Sequence, residues 1–396
     1  MSKKHVIIGT SAAGLSAAKR LALLAKDDEI ICISDEQELP YNKCHLASYL
    51  CGEKQESDVL TMQEEEAFKK GVTLKLGVRV LGIDTDSKEI TCDDGSVVSY
   101  DTLFIGTGSS PKIPPILNIR SCKNVFTFHS LHDTNRLLDA VKAKNLREAV
   151  IIGAGLSGLE CADALREHGV AVHVVELCER VLVNQINQKA AQLIHEHMQK
   201  AGVQFHSNQQ VTQIIDRDGA VAGVQLADGR TICADAVIVA AGLKPNTQLL
   251  QSGVIQLKDH HIMVDSQMRT NIPEIYAGGD ACMVPDQITG SVTPSRAWPD
   301  AMLQGMIAAF NMAGTPRSYP GTAVITSSSF FSLKFATCGS VVNIPHGVEL
   351  RETITEAGYE CLVLQDGILK GFTLVGDTAN LNKYRRAVLT KQPLSL

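Results

Sequence analysis

Two stretches of the chain share one pattern, in which a short apolar run ends in a glycine-rich turn and leads into an alanine-rich segment. They begin at residues 4 and 149. Each apolar run predicts a buried strand, and each alanine-rich segment predicts a helix whose small side chains pack on a sheet. A second apolar run that ends in an acidic residue follows, at residues 29–36 and 171–176. Strand, helix and strand in this order predict a βαβ unit with parallel strands in both places.

The sequences that follow these two units are also alike. Each predicts a further helix, then strand pairs joined by an Asp-Gly turn, then an apolar strand that ends in glycine. These features lie near residues 61–70, 93–95 and 100–108 in the first copy and near residues 187–201, 227–229 and 234–242 in the second. The chain is therefore expected to repeat one nucleotide-binding architecture.

The predicted fold class is α/β, with two Rossmann-like dinucleotide-binding domains and a small α+β C-terminal domain. A proline-rich segment at residues 111–115 reads as a hinge between the copies, and residues 298–313 predict a further helix. Short β-like runs predict the C-terminal domain, at residues 323–331, 333–342 and 359–375. The predicted boundaries are 1–111 with 236–317 for the first domain, 112–235 for the second and 318–396 for the third.

Length and composition fit this picture and exclude several other classes of protein. The chain has 396 residues, of which 44% are hydrophobic and 20% charged, which is the balance of an ordinary globular protein. A formal net charge of −6 argues against a nucleic-acid-binding protein. No apolar run approaches the roughly 20 residues of a membrane-spanning helix. Because the first predicted strand begins at residue 5, we expect no signal peptide and a cytoplasmic protein.

The chain contains 11 cysteines, an odd number that is scattered along the sequence without any Cys-x-x-Cys pair. This distribution argues against a disulfide framework, a zinc ribbon and a local iron–sulfur motif. We therefore expect no metal site, and we expect most of these thiols to be small buried residues in a reducing compartment.

The second glycine turn carries the complete dinucleotide-binding pattern, with Gly153, Gly155 and Gly158. In that pattern the glycines permit a tight turn, close approach of a pyrophosphate and close helix–strand packing. Glu176 ends the next predicted strand, where a carboxylate binds the hydroxyls of an adenosine ribose and repels a 2′-phosphate. The pattern therefore favours NADH over NADPH, although Arg180, four residues further on, could weaken this preference.

The first glycine turn has Gly9, Ser11 and Gly14, with serine in the middle position. Serine is small enough to keep the backbone approachable. Either Asp35 or Glu36 would take the ribose role, and we prefer Asp35 because it directly follows the predicted strand. Two dinucleotide-binding domains imply two dinucleotides, and the economical pair is a bound flavin (FAD) in the first and a diffusing nicotinamide (NAD) in the second.

Together with further motifs, the two glycine turns resemble the pyridine nucleotide–disulfide oxidoreductase superfamily. These motifs are Thr107-Gly108, the segment 242–246 that begins with Gly242, and the segment 275–280 that ends in Gly279-Asp280. The resemblance implies that Asp280 binds the ribityl chain of FAD and that Trp298 begins a helix that faces the flavin ring. It also implies that Glu160 and Gly242 contact NAD. The residues expected to bind FAD are Gly9, Ser11, Gly14, Asp35, Glu36, Lys43, Val80, Thr107, Gly108, Gly279, Asp280 and Trp298.

The branch of the superfamily is indicated by one absent pattern and one local resemblance. The redox pair of the disulfide reductases, Cys-x-x-x-x-Cys, is missing. The segment 39–53 resembles the branch of NADH:rubredoxin reductases, the flavin domain of the large nitrite reductase subunit and ferredoxin reductases. In this resemblance Lys43 is the basic residue beside the isoalloxazine ring. We therefore predict an NADH oxidoreductase that passes electrons through FAD to a small rubredoxin- or ferredoxin-like carrier protein.

Cys44 keeps a second interpretation open. It lies close to the position of the redox thiol in the single-cysteine branch, and Lys43 would lower the pKa of its thiol. One alternative is therefore a Cys44-assisted NADH oxidase, peroxidase, or coenzyme A-disulfide or persulfide reductase, and the other reading of Cys44 is a small residue near the flavin. A further alternative is a flavoprotein that senses NADH without turnover. The short C-terminal domain predicts a monomer or a homodimer.

Overall fold

The computed structural model describes residues 2–63, 66–67, 71–251, 253–339, 341–342, 344 and 347–393. Half of the helix predicted near residues 61–70 lies outside the described residues. In chain order the helices are α1 (Ala12–Leu24), α2 (Leu46–Leu50), α3 (Glu56–Val59), α4 (Leu131–Lys142), α5 (Leu156–Glu167), α6 (Gln188–Lys200), α7 (Trp298–Met312) and α8 (Leu381–Thr390). A short 3₁₀ helix, Lys43–His45, directly precedes α2.

The strands in the first half of the chain belong to the first glycine turn and its sequel, and to the start of the second. They are β1 (Lys4–Ile8), β2 (Glu29–Ser34), β3 (Val72–Leu76), β4 (Val80–Asp84), β5 (Glu89–Cys92), β6 (Val97–Ser99), β7 (Thr102–Ile105), β8 (Ser109–Pro111), β9 (Val125–Thr127), β10 (Glu148–Ile152), β11 (Ala171–Val175) and β12 (Gln204–His206).

The remaining strands complete both copies and form the C-terminal region. They are β13 (Val211–Arg217), β14 (Ala220–Leu226), β15 (Thr231–Cys233), β16 (Ala236–Val239), β17 (Leu243–Pro245), β18 (Leu257–Lys258), β19 (His261–Met263), β20 (Ile275–Ala277), β21 (Cys282–Pro285), β22 (Val292–Pro294), β23 (Ile325–Phe330), β24 (Leu333–Gly339), β25 (Glu349–Thr355), β26 (Gly358–Gln365) and β27 (Ile368–Gly376).

The chain divides into two compact units. Within the described residues, the first unit comprises Met1–Cys44, Glu56–Ser110 and Lys244–Thr322. The second unit comprises His45–Gln55, Pro111–Leu243 and Ala323–Leu396. Of the region predicted as a third domain, residues 318–322 are thus grouped with the first unit and the rest with the second glycine turn.

The first unit is built on a parallel sheet with the strand order β20-β7-β1-β2-β3. The apolar runs that predicted β1 and β2 are buried in it, because helices cover parallel sheets on both faces. Helix α7 lies directly against α1, since a Cβ atom added to Gly305 would be 2.0 Å from the backbone oxygen of Ala13. Only a glycine permits this approach, and it fixes the helix that follows the first glycine turn.

The second unit repeats this plan with a parallel sheet of the order β12-β11-β10-β16-β9. In both sheets the strand that leads into the glycine turn occupies the centre. The predicted fold class, α/β with two Rossmann-like domains and a small C-terminal domain, is confirmed.

The predicted domain boundaries differ from the observed units at two further places. Strand β16 pairs in parallel with β10, so residues 236–243 belong to the second unit and not to the first domain as predicted. Residues 45–55 also belong to the second unit, since the Tyr49 hydroxyl donates to Asn135 at 2.8 Å and a ring nitrogen of His168 donates to the Leu50 carbonyl. Neither hydrogen bond joins residues that are close in the sequence, and the pattern therefore did not indicate them.

The C-terminal region forms an antiparallel sheet of the order β23-β24-β27-β26-β25, with α8 packed against β27. Four of these strands follow the three predicted runs, since the run 359–375 holds both β26 and β27, and β25 is an additional strand that the alternation did not indicate. Strand β25 is mostly exposed, which explains why its sequence has no buried apolar face. Among the described residues, no helix has the length and hydropathy needed to cross a membrane.

Candidate functional site

The first glycine turn is shaped by close contacts between backbones. Gly9 has a φ of +98°, and a Cβ atom added there would be 2.2 Å from the oxygen of Gly106. A Cβ atom on Gly14 would be 1.9 Å from the oxygen of Gly9. Ser11 is the N-cap of α1, but its side chain makes no capping hydrogen bond and the first turn has no acidic residue. The N–H groups at this helix terminus therefore suit the phosphates of a dinucleotide.

The second glycine turn repeats this geometry and adds an open middle position. Gly153 has a φ of +112°, and a Cβ atom there would be 2.4 Å from the oxygen of Ala240. A Cβ atom on Gly158 would be 2.1 Å from the oxygen of Gly153, whereas one on Gly155 would meet nothing within 4 Å. Gly155 thus leaves room beside the start of α5, which is the space that an approaching pyrophosphate needs.

Glu176 is held beside the second glycine turn by two backbone N–H groups. One carboxylate oxygen accepts from Ala154 at 2.7 Å and the other from Cys178 at 3.0 Å. Arg180, whose position raised the question of NADPH, instead donates to the carbonyl oxygens of Ile186 at 2.6 Å and Val183 at 3.1 Å. The carboxylate of Glu176 at the end of β11 is therefore fixed in position. The Arg180 guanidinium hydrogen-bonds to backbone carbonyl groups of its own loop.

The acidic residues after β2 lie in a different arrangement. The pairing of Ile8 with Ile33 and of Ile152 with Val175 places Ser34, not Asp35, at the position that corresponds to Glu176. The residues beyond it are both acidic.

Asp35 and Glu36 have different neighbours. Asp35 is exposed and pairs with Arg79 at 3.2 Å. Glu36 is partly buried and accepts hydrogen bonds from Tyr41 at 2.6 Å and from Lys43 at 3.3 Å. Glu36 is therefore tied to the segment that contains Lys43, and the preference for Asp35 as the ribose ligand stays a prediction.

Asp280 lies in the turn after β20 and accepts a hydrogen bond from the hydroxyl of Ser109 at 2.8 Å. Burial raises the pKa of Asp280, whereas the Ser109 hydroxyl and the charges of Lys43, Arg296 and His261 act in the opposite direction. The carboxylate is thus partly withdrawn from water and faces basic groups of the first unit. Such a group suits the hydroxyl donors of a ribityl chain.

A buried side-chain amide stabilises the turn that carries Asp280. The side chain of Gln304 is fully buried in α7 and accepts from the backbone N–H of Gly279 at 2.8 Å. Its nitrogen donates to Ser295 at 3.0 Å and to Tyr319 at 3.2 Å. Sequence reasoning missed Gln304 and Ser109. A glutamine in the otherwise apolar stretch of α7 was the available signal, because a polar residue on a buried helix face needs partners.

The motifs at Thr107-Gly108 and Asn246 meet in the first unit. The Thr107 hydroxyl donates to the Asn246 carbonyl at 2.7 Å, and the Asn246 amide donates back to the Thr107 carbonyl at 3.0 Å. Gly108 has a φ of +62°, as the turn between these groups requires. In the second unit, Gly242 has a φ of +96° and its carbonyl accepts from the N–H of Lys112 at 2.9 Å.

Lys43 and Cys44 lie together in the 3₁₀ helix. The Lys43 ammonium lies 5.8 Å from the centre of the Tyr41 ring. Cys44 is exposed, and its backbone N–H donates to the Asn42 side chain at 3.0 Å. Elsewhere in the first unit, Val80 is buried at the start of β4 and Trp298 is partly buried at the start of α7.

Glu160 lies in the second turn of α5, just after the second glycine turn. Its carboxylate accepts a hydrogen bond from the hydroxyl of Ser328 in β23 at 2.6 Å. Burial raises the pKa of Glu160, and the Ser328 hydroxyl lowers it. The partner was missed because Ser328 lies far from Glu160 in the sequence. Across the part of the chain that the structure describes, no group of three or more His, Cys, Asp or Glu residues is arranged to hold a metal ion.

The features of both glycine turns fit a dinucleotide, and comparisons with known proteins agree. The family described as pyridine nucleotide-disulphide oxidoreductase matches residues 3–304. An NADH oxidase of Methanocaldococcus jannaschii is 29% identical over 394 residues, which cover 94% of this chain and 87% of that protein. The assimilatory nitrate reductase electron transfer subunit of Bacillus subtilis is 29% identical over 402 residues, which cover 100% of this chain and 50% of that protein.

Among solved structures, the reduced CoADR-RHD protein of Bacillus anthracis has the same fold. It superposes with a TM-score of 0.92 at 27% sequence identity, and the match covers 100% of this chain and 76% of that one. The chain therefore spans most of the M. jannaschii relative but only half of the B. subtilis relative.

Proposed function

The chain belongs to the pyridine nucleotide–disulphide oxidoreductase family and is an NAD(P)H-dependent flavin oxidoreductase, and we propose that it passes electrons from NADH through FAD to a small redox carrier protein. The observation that carries this proposal is the pair of glycine turns, each of which opens a helix without a side-chain cap. Bound FAD supplies the chemistry of accepting a hydride and of releasing electrons singly. The protein's part is to bind and orient the two dinucleotides.

We assign FAD to the first unit. The turn from Gly9 to Gly14 receives its phosphates, Asp280 accepts from its ribityl hydroxyls, and Lys43 lies on the side of the site near Glu36. We propose that the other FAD-binding residues are the ones predicted from the sequence.

We assign NADH to the second unit, at Gly153, Gly155, Gly158, Glu160, Glu176 and Gly242. The preference over NADPH rests on Glu176, whose carboxylate two N–H groups hold beside the glycine turn. A carboxylate in this place accepts hydrogen bonds from ribose hydroxyls and repels a 2′-phosphate. Arg180 donates to carbonyl oxygens of its own loop, which agrees with this preference.

Two observations support the proposal that a small redox carrier protein accepts the electrons. The sequence lacks the cysteine pair of the disulfide reductases, and the B. subtilis relative is named as an electron transfer subunit. We further propose a cytoplasmic location, because 11 cysteines scattered without a disulfide-framework pattern are typical of a reducing compartment. The prediction of a monomer or homodimer stays a prediction.

The exposed thiol of Cys44 favours a second candidate function. In that case the enzyme is a Cys44-assisted NADH oxidase or peroxidase, or a reductase of coenzyme A disulfide or a persulfide. The exposure of Cys44 beside Lys43 makes the thiol available to a small substrate. The M. jannaschii relative is named as an NADH oxidase, which supports this candidate for the present chain.

One set of measurements separates the two candidates. NADH oxidation is followed anaerobically with rubredoxin, ferredoxin, coenzyme A disulfide or hydrogen peroxide, and in a separate experiment with oxygen. Each acceptor is tested on the wild type, on Cys44→Ser and on Cys233→Ser, which replaces another exposed thiol.

The proposed function predicts the fastest turnover with a carrier protein and equal rates for all three proteins. Fast turnover with a small acceptor that Cys44→Ser abolishes and Cys233→Ser retains would establish the second candidate. If no acceptor is reduced although NADH binds, the electron-transfer proposal is wrong.

A further inference from the structure

The hairpin of β23 and β24 reaches from the C-terminal sheet to the helix that follows the second glycine turn. Phe330 pairs with Leu333, so Phe331 and Ser332 form a two-residue turn. Both turn residues have positive φ angles, +53° and +60°, which bulky side chains rarely adopt. The N–H of Phe331 donates to the Asp163 carboxylate in α5 at 2.9 Å, which anchors this turn on the helix.

The same hairpin presents three consecutive serines, and their side chains alternate between two faces. Ser327 and Ser329 are exposed, whereas Ser328 is partly buried and donates to Glu160 at 2.6 Å. This alternation follows from the period of a β-strand. One serine of the three is thus directed at a carboxylate that lies in the second turn of the NADH-binding helix.

The charged groups on the elements around Glu160 are engaged with one another. On α5, Arg166 pairs with Asp163 at 2.9 Å and with Glu167. On the neighbouring strands β10 and β11, Glu148 pairs with His173 at 2.8 Å. Helix α2 and strand β23 contribute no charged side chain. Among the described residues, Ser328 is therefore the hydrogen-bond partner of the Glu160 carboxylate.

We propose that Ser328 is a positioning residue of the NADH site, which holds the Glu160 carboxylate in one orientation as a hydrogen-bond acceptor for the carboxamide of the nicotinamide. This inference rests on the proposed binding of NADH in the second unit. A carboxamide offers two N–H donors, and only an acceptor in fixed orientation binds them without first reorganising. The C-terminal sheet thereby contributes to dinucleotide binding through a residue that does not itself touch the ligand.

The sign of the expected pH dependence follows from the hydrogen bond. A hydroxyl that donates to a carboxylate stabilises the ionised form and lowers its pKa. Burial already raises the pKa of Glu160, and the pKa rises further without Ser328 because the stabilising hydroxyl donor is lost. In that variant the Glu160 carboxylate is protonated at a higher pH than in the wild type. As the pH falls, the dinucleotide therefore begins to bind weakly at a higher pH.

The test compares Ser328→Ala with the matched control Ser329→Ala, which removes an exposed hydroxyl from the same strand. NAD⁺ binding to the oxidised FAD-loaded protein is measured by titration calorimetry from about pH 4 to 8, a range that begins below the ordinary pKa of a glutamate side chain. For Ser328→Ala we expect about tenfold weaker binding at the acid end, the size of one lost hydrogen bond to a charged group. The acid limb of its binding profile moves up by about one pH unit.

Ser329→Ala should bind like the wild type, and Ser328→Thr, which keeps a hydroxyl, should restore most of the affinity.

A double-mutant cycle with Glu160→Gln removes the titrating group. In the Glu160→Gln protein, Ser328→Ala is expected to change neither the affinity nor the pH profile further. If Ser328→Ala weakens NAD⁺ binding equally in the wild type and in Glu160→Gln, Ser328 serves only the stability of the fold and the proposal is wrong. The proposal is also wrong if the affinity of Ser328→Ala depends on pH in the same way as that of Ser329→Ala. The proposed function fails separately, if the wild type does not bind NAD⁺ and its flavin is not reduced by NADH.

Discussion

The carboxylate of Glu176 accepts a hydrogen bond from the backbone N–H of Ala154 at 2.7 Å, which joins the end of β11 to the glycine turn after β10. This contact places a fixed negative charge where we propose that the ribose of NADH binds. For Glu176→Ala we predict a KM for NADH about 10- to 100-fold higher, with little change in the rate of flavin reduction at saturating NADH. The preference for NADH over NADPH should shrink in the same variant. Steady-state and stopped-flow measurements with both dinucleotides check this.

Asp218→Asn serves as the control for that prediction, since Asp218 is an exposed acid in the turn between β13 and β14 of the same unit. This variant should leave the KM for NADH and the preference for NADH over NADPH unchanged. An unaltered KM in Glu176→Ala would contradict the assignment of the ribose.

Asp280 is predicted to retain FAD. In Asp280→Asn the acceptor loses its charge, so we expect most of the flavin to be lost during purification, whereas Asp259→Asn in an exposed turn should remain fully loaded. The ratio of flavin absorbance to protein concentration measures this directly. A fully yellow Asp280→Asn protein would show that the ribityl assignment is wrong.

Gln304 is predicted to stabilise the turn that carries Asp280. Gln304→Leu leaves the N–H of Gly279 and the hydroxyls of Ser295 and Tyr319 without this partner, and buried polar groups without partners cost about 1–3 kcal/mol each. We expect the free energy of unfolding to fall by roughly 2–4 kcal/mol. Met302→Leu, an exposed position of the same helix, should change it by less than about 0.5 kcal/mol. Denaturant unfolding followed by circular dichroism distinguishes the two.

His5 makes stability depend on pH near neutrality. Its ring is fully buried in β1 and hydrogen-bonds to Thr102 at 2.7 Å and to Asp28 at 3.1 Å. Burial lowers the pKa of His5 below its ordinary value of 6.5, despite the opposing effect of Asp28. The unfolded chain therefore binds a proton at a higher pH than the folded one, and stability falls as the pH falls from about 6.5 towards the lowered pKa.

This dependence is checked by thermal unfolding between about pH 5 and 8, which brackets the ordinary histidine pKa. His5→Gln should flatten that part of the profile, and His260→Asn, in an exposed turn, should not. If the slopes of the wild type and His5→Gln coincide, His5 is not the group responsible.

The local chemistry of the two glycine turns could be predicted because the backbone itself imposes it. At Gly9 and Gly153 the φ angle is positive, and an added Cβ atom would be 2.2 Å and 2.4 Å from a neighbouring backbone oxygen. Only glycine fits such a position, so the sequence itself shows where these turns lie. The buried parallel strands were visible for a similar reason, since they are continuous apolar runs. The position of Glu176 followed from the end of such a strand.

The partners of the functional carboxylates could not be predicted in this way. Ser328 lies 168 residues from Glu160, and Ser109 lies 171 residues from Asp280. Serine is common in strands and turns, and no spacing or periodicity marks these two. The pairing of β16 with β10 could not be predicted for the same reason, because a strand's partner depends on the packing of the whole sheet.

The sequence by itself therefore determined the two nucleotide-binding folds, their glycine turns and the carboxylate proposed to bind the ribose of NADH. Local sterics and hydrophobic period act within a few residues, and they leave a readable pattern. Only the tertiary structure decided that Gln304 supports the turn of Asp280, that Glu36 is tied to Lys43, and that a serine of the C-terminal sheet meets Glu160. These contacts join distant segments, and their energies depend on burial and geometry that exist only once the chain has folded.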